Sequence, residues 1–246
     1  MNKDKGLLIF AGKQVGLELV QFLLKHSYPV RRIIVATRLD IELYDFAVKS
    51  NIQVDFYMKD LQQQLIDSED KYDWILSLWS PHILKHDLLK LADHRLNIHP
   101  SYLPNGGGND NAMWTIRNEA KGGVSLVEIE KGIDEGAIYD QVEVNFNFPI
   151  TGLELNNLLR NESIILFQKS WPEIYQGKKL PIKKMLHSYY TRAQTNQDRV
   201  KSAEDKMKVK DFILWALAHD FSPNTTAEVI FDEVHYKVQL SLKRLV

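Results

Sequence analysis

The sequence predicts an α/β fold, a doubly wound, mostly parallel sheet followed by a small C-terminal segment of one helix and a β-hairpin. Three observations carry this expectation. Short apolar runs alternate with segments of helical period through the first hundred residues. One of those runs, Trp74-Ile75-Leu76-Ser77-Leu78-Trp79, is nearly unbroken, as in a strand covered on both faces of a parallel sheet. Beyond residue 206 the pattern changes to a single amphipathic helix and two runs joined across Asp232-Glu233.

The elements follow in order. Residues 6–11 are an apolar strand ending at Gly12. A helix then runs to about Lys25, with Leu17, Val20, Leu23 and Leu24 as its buried stripe. Residues 30–36 form a strand, 44–50 a helical piece, 52–56 a strand, 74–79 the apolar strand and 86–91 a short helix. Residues 95–99 are the last strand of this run. Past it, 109–119 can form a helix with Met113, Ile116 and Ala120 on one face and Trp114 more a core residue than a ligand contact. Residues 124–129 and 137–146 are strands. Thr151 and Glu154 form a capping box, in which each satisfies the other's end donors. It opens a helix to about Tyr175, with Leu155, Leu158, Leu159, Ile165 and Leu166 as its packing positions. The composition turns polar from about Gln176. The expected division is therefore 1–180 for a main domain and 181–246 for a small segment holding an aromatic loop, the helix over Val209–Ala218 and the hairpin.

Composition removes several classes of function. The 246 residues are 44% hydrophobic and 26% charged, and the net charge is −1, so nothing pulls the chain as a whole toward nucleic acid. The absence of cysteine excludes disulfides, thiolate nucleophiles and Cys-based zinc sites. No apolar run approaches a membrane span or a signal peptide, and the expected location is the cytoplasm. Gly12-Lys13-Gln14-Val15-Gly16 follows a strand and opens a helix. It lacks the spacing and the following acid of a dinucleotide site, so a tight βα turn is the better account. His82 and His86 are four apart, but without a third ligand no metal is expected there.

The chemistry concentrates in Asn97-Ile98-His99-Pro100-Ser101-Tyr102-Leu103-Pro104 and in Gly132-Ile133-Asp134-Glu135-Gly136. Asn97 and His99 are two apart on a strand, so their side chains leave the same face. Pro100 and Pro104 then end the strand and stiffen the loop. Asp134 lies 35 residues beyond His99 on a Gly-flanked loop that must reach back to it. A lone His before Pro and a lone Asp between glycines are each most often structural. Together, an amide donor, a titratable base and an orienting acid are the parts needed for attack on a carbonyl.

The N-I-H-P-S-x-L-P wording resembles the signature of the folate-dependent formyltransferases, the family of the glycinamide ribonucleotide, methionyl-tRNA and sugar N-formyltransferases. The resemblance covers about the first two thirds of the chain and is most specific at 97–104 and 130–140. It implies a Rossmann-like catalytic domain, 10-formyltetrahydrofolate as donor, no metal, and Asn97, His99 and Asp134 as the catalytic residues. It places the pterin ring against Trp79, Ser80, Pro81, His82, Ile83 and Leu84, read mainly by main-chain groups. The sequence departs from the family at Asn105-Gly106-Gly107-Gly108, where a bulky residue and often an arginine are usual. That puts the acceptor contacts in doubt.

Among acceptors, the short tail and neutral charge disfavour tRNA, and the C-terminal unit with Tyr102 and Trp114 favours the sugar branch. The expected substrate is a dTDP- or UDP-linked 3- or 4-amino-dideoxyhexose destined for surface polysaccharide such as lipopolysaccharide O-antigen. Tyr102, the Asn105–Gly108 loop, His187, Tyr189 and Tyr190 are the expected contacts. A homodimer without nucleic-acid or membrane partners is expected. A formyl-folate hydrolase, transfer to another small amine, and a catalytically silent sugar-nucleotide binder stand as alternatives.

Overall fold

The computed structural model describes residues 5–182 and 188–245. In chain order the elements are β1 (Leu7–Ala11), α1 (Lys13–Lys25), β2 (Val30–Val35), α2 (Ile41–Lys49), β3 (Gln53–Phe56), α3 (Leu61–Asp67) and β4 (Tyr72–Leu78). Next come α4 (His86–Leu89), β5 (Ala92–His99), the two-residue β6 (Gly107–Gly108), α5 (Asn111–Arg117), β7 (Gly122–Val127) and β8 (Ile138–Val144). The remainder is α6 (Gly152–Tyr175), the two-residue β9 (Tyr189–Tyr190), α7 (Arg192–Arg199), β10 (Val200–Ser202), α8 (Val209–Ala218), β11 (Ala227–Phe231) and β12 (Val234–Val238).

A seven-stranded sheet runs β3-β2-β1-β4-β5-β7-β8. Its first five strands are parallel, and β7 is antiparallel to β5. The order reverses between β1 and β4, the doubly wound arrangement whose ligands bind beyond the carboxyl ends of the strands. β1 is buried throughout, as its unbroken apolar run requires. Leu8, Phe10, Ile34, Ile75 and Leu88 form one core, against which Tyr57, Ile66 and Ile129 pack.

Compactness groups the residues differently from chain order. One unit comprises Met1–His99, Ser125–Gln141 and Ser163–Met185, and the other Pro100–Val124, Val142–Glu162 and Leu186–Val246. The second unit therefore takes residues from well before position 181, the boundary that composition suggested.

Two expectations change within the elements. The Thr151–Glu154 capping box forms, with Thr151 N–H donating to Glu154 at 2.8 Å and Glu154 N–H donating to Thr151 Oγ1 at 3.2 Å. Of the packing positions expected on α6, Leu155, Leu159 and Leu166 are buried, whereas Leu158 and Ile165 are 40% and 55% exposed. Ser163, Phe167, Ser170, Trp171 and Ile174 complete the buried stripe. The helical period carries the stripe through two small serines that an apolar count passes over. Helix α7 lies in the stretch that composition marked only as polar. Its own capping box, Thr191-Arg192-Ala193-Gln194, was the available signal.

In the second unit, Trp215, Ala216 and Ala227 form a small core with Phe212, Val229, Val238 and Leu240 around it. The expected hairpin is present as the antiparallel pair β11–β12, and β10 adds a parallel strand to it. Asp198 ties this unit together. Its carboxylate accepts from Arg117 Nε at 2.8 Å, Lys201 Nζ at 3.0 Å and His219 Nε2 at 3.0 Å, and its carbonyl accepts from Trp215 Nε1 at 2.7 Å. Burial pushes the Asp198 carboxyl up, but His219, Arg117 and Lys201 outweigh it and hold it far below the usual carboxylate range. A depressed folded-state value stabilises above the unfolded value of about 4 and loses that contribution as pH falls through it. Asp198→Asn is expected to cost about 2 kcal/mol of stability at neutral pH. Urea titrations across pH should find the gap from wild type narrowing below about pH 4.

Candidate active site

β5 delivers Asn97 and His99 to the carboxyl end of the sheet, beside β4, in the register Ser77↔Asn97. Pro100 then ends the strand, having no N–H for the ladder. On the other side β7 pairs antiparallel, with Asn97↔Val127, Ile98↔Leu126 and His99↔Ser125. His99 is only 3% exposed. Asp134 comes from the loop between β7 and β8 and is itself largely buried.

The three expected catalytic side chains meet. Asp134 Oδ1 lies 3.3 Å from His99 Nδ1 and accepts from Asn97 Nδ2 at 3.4 Å. The contact with Nδ1 favours the tautomer protonated there, which makes Nε2 the basic nitrogen. The Asn97 amide has two N–H groups, and one directed at Asp134 leaves the other for a developing oxyanion. Asp134 holds φ +54°, a left-handed conformation that costs a non-glycine residue about 1 kcal/mol. The loop keeps it there because its neck is closed. Glu128 N–H donates to Ala137 O at 2.9 Å, and a Cβ on Gly136 would stand 1.8 Å from Glu128 O. Gly136 is thus required by close approach.

Sequence reasoning passed over Ser125, which is fully buried and opposes His99 across the strand pair. It accepts from Gln141 Nε2 at 3.1 Å. A serine inside the apolar run Val124-Ser125-Leu126-Val127 was the signal, since a buried hydroxyl needs a partner. Gln62 was also missed. It is buried on α3 and shapes the segment after β4, donating to Ile83 O at 3.0 Å and accepting from Lys85 N at 2.7 Å.

Trp79–Leu84 follows β4 directly. Trp79 turns the chain at φ +60°, Leu84 is buried and Ile83 is 66% exposed. His82 stacks on Tyr57 with centroids 3.5 Å apart, and its Nε2 lies 2.8 Å from Ala36 O. Its ring is thereby engaged within the protein. The βα turn after β1 is similarly filled, since Lys13 N–H, at the start of α1, donates to Asp40 at 2.8 Å, where a phosphate would otherwise bind.

In the second unit the glycine loop is ordered by strand pairing. Gly107↔Tyr189 and Gly108↔Tyr190 form β6–β9. A Cβ on Gly108, at φ +89°, would stand 2.2 Å from Tyr190 O and 2.9 Å from the Tyr189 ring. The close approach that the glycines permit is therefore used by the protein's own chain. Asn105 is exposed at its start, and Tyr102 lies against Gly123 on β7. Tyr189 is 40% exposed. Tyr190 stacks on Trp114 at 4.3 Å, and its hydroxyl accepts from Asn118 at 3.0 Å. His187 lies outside the described residues. Among the described residues there is no group of three His, Cys, Asp or Glu side chains placed to hold a metal, and no helix is long and apolar enough to cross a membrane.

The crystal structure of a 4-N formyltransferase from Francisella tularensis superposes with a TM-score of 0.85 over 99% of this chain and 100% of that one, at 19% identity. The chain has the formyltransferase fold. An N-formyltransferase with the same fold from Helicobacter canadensis, solved with folinic acid and dTDP-3-aminofucose, matches at TM-score 0.71 and 22% identity over 87% of this chain and 80% of that one. In sequence, the bifunctional polymyxin resistance protein ArnA of Wigglesworthia glossinidia brevipalpis is 28% identical over 186 residues, which are 70% of this chain. The match spans 28% of that relative's length. No family model matches the chain. The resemblance read at 97–104 and 130–140 thus holds at the level of the formyltransferase fold.

Proposed function

We propose that the protein transfers a formyl group from 10-formyltetrahydrofolate to the primary amine of a dTDP- or UDP-linked 3- or 4-amino-dideoxyhexose. The product would serve surface polysaccharide such as lipopolysaccharide O-antigen. The observation that carries this reading is the meeting of Asn97, His99 and Asp134 at the carboxyl end of β5 in a formyltransferase-type sheet. The sugar class is drawn from the Helicobacter canadensis complex and its nucleotide-linked amino sugar.

The residues supply what the reaction needs. Attack of the amine on the formyl carbon makes a carbon–nitrogen bond and turns the carbonyl oxygen into an oxyanion. Asn97 donates to that oxygen. His99 Nε2 takes the amine proton, and Asp134 stabilises the resulting imidazolium through Nδ1. Return of a proton to the departing folate nitrogen completes the exchange, leaving a formamide and tetrahydrofolate. No covalent intermediate is required. Trp79–Leu84 suits a flat ring, since the segment offers an exposed apolar side chain at Ile83 and turned main chain at Trp79.

We assign the nucleotide to the β6–β9 face, with Tyr189 as the stacking residue. Tyr190 already spends its ring on Trp114 and its hydroxyl on Asn118. Tyr189→Ala is expected to weaken sugar-nucleotide binding about tenfold with folate affinity unchanged. Tyr190→Ala should chiefly lower the melting temperature. Calorimetric titration and thermal melts of both variants check this, and equal sugar-nucleotide affinity in Tyr189→Ala and wild type would remove the assignment. We further propose a cytoplasmic homodimer in which the segment over 209–240 forms the subunit contact, supported by the exposed apolar side chains of Phe231, Val234 and Tyr236.

The test is incubation with 10-formyltetrahydrofolate and a panel of dTDP- and UDP-linked amino sugars, following folate absorbance. Consumption that depends on one sugar supports the reading. Equal consumption with no sugar present supports hydrolysis instead, and no consumption with any sugar supports a silent binder.

A further inference from the structure

Asn97 and His99 stand on β5, whereas Asp134 stands on a loop that must be held in register with that strand. Two observations show a connection between these parts away from the catalytic groups. Arg95 lies on β5 two residues before Asn97 and four before His99, on the same face by the period of a strand. Its guanidinium meets the Glu128 carboxylate at 3.6 Å and donates to Leu89 O at 3.4 Å. Glu128 is also the neck of the Asp134 loop, through its N–H on Ala137 O and the flat packing of Gly136 against its carbonyl.

We propose that Arg95 and Glu128 are a positioning pair that fixes the Asp134 loop against the strand carrying Asn97 and His99. Resting on the assignment of these three residues as the reacting centre, it adds a specific cause for the placement of Asp134 beside His99. One side of the pair is anchored in the sheet and in α4. The other side is the residue at which the loop leaves β7 and to which it returns. Loss of the ion pair frees the neck to shift, and a shift of a fraction of an ångström there is carried by the loop to Asp134 Oδ1. Both side chains are about three quarters buried, so the attraction is less screened than at a surface pair. The field of the pair also reaches Tyr139, whose phenol is pushed up to about 12, first by burial and then by Glu128, with Arg95 opposing.

The test compares wild type, Glu128→Gln, Arg95→Met, and the reversed pair Arg95→Glu with Glu128→Arg. Two readouts are needed, steady-state transfer and the NMR signal of the His99 Nδ1 proton. Glu128→Gln keeps the shape of the side chain and should fold. The expected result is kcat lowered about tenfold with KM for the folate within about twofold, together with broadening or loss of the Nδ1 proton signal. The reversed pair should recover part of both. An unchanged kcat and an unchanged proton signal in Glu128→Gln would overturn the proposal, as would a loss of activity matched by the loss of folded protein in a melt. If wild type shows no transfer at all, the assigned reaction has failed, and the Nδ1 signal still decides whether the pair positions His99.

Discussion

Replacing His99 by asparagine is expected to lower turnover at least about a hundredfold while folate binding is largely kept, the signature of lost general-base work. The geometry makes the reason specific. Asp134 faces Nδ1, so the lone pair for the amine proton is on Nε2, and asparagine offers no such base. Asp134→Asn should cost a comparable factor by a different route. An amide in place of the carboxylate can neither favour the Nδ1–H tautomer nor balance the charge of the imidazolium. Because the proposed roles make the two residues one unit, the double variant is expected to be little worse than the worse single one. Steady-state kinetics with calorimetric folate titration checks all three proteins. Near-normal turnover in either folded single variant would remove His99 and Asp134 from the chemistry.

Asn97→Ala is expected to raise the barrier by about 3 kcal/mol, with the effect in kcat rather than in KM. Asn97 is only partly buried and shares Asp134 Oδ1 with His99. Its removal therefore strips one donor from the oxyanion and one neighbour from the acid. The first loss is felt only where charge develops. A variant with raised KM and unchanged kcat would show that Asn97 holds substrate instead of stabilising the transition state.

The sheet was legible because its strands are punctuated. Gly12 ends β1 and Pro100 ends β5, and the apolar run from Trp74 to Leu78 is the pattern of a strand covered on both faces of a parallel sheet. The meeting of Asn97 and His99 was legible from the two-residue period, and that of His99 with Asp134 from the signature at 97–104 and 130–140. Other features were hidden for physical reasons. Ser125 is set opposite His99 only by the register of β5 with β7, which no local pattern encodes. Gln62 acts across 21 residues on Ile83, and a glutamine on a helix reads as a solvent residue until its burial is seen. The order of the glycine loop was hidden because its partner strand, β9, is two residues long and lies 82 positions away in the register Gly107↔Tyr189. Asp198 gathers Arg117, Lys201 and His219 from three parts of the chain, and nothing in the polar run around it announces a half-buried, triply paired carboxylate.

The most direct measurement follows the formyl carbon itself. Wild-type protein is mixed with 10-formyltetrahydrofolate labelled with ¹³C in the formyl group and with a nucleotide-linked amino sugar, and the products are read by NMR. The reaction assigned to Asn97, His99 and Asp134 predicts the label as a formamide on the sugar, with tetrahydrofolate in equal amount and the signal lost in His99→Asn. Label recovered as free formate, with the sugar amine unmodified, would contradict it.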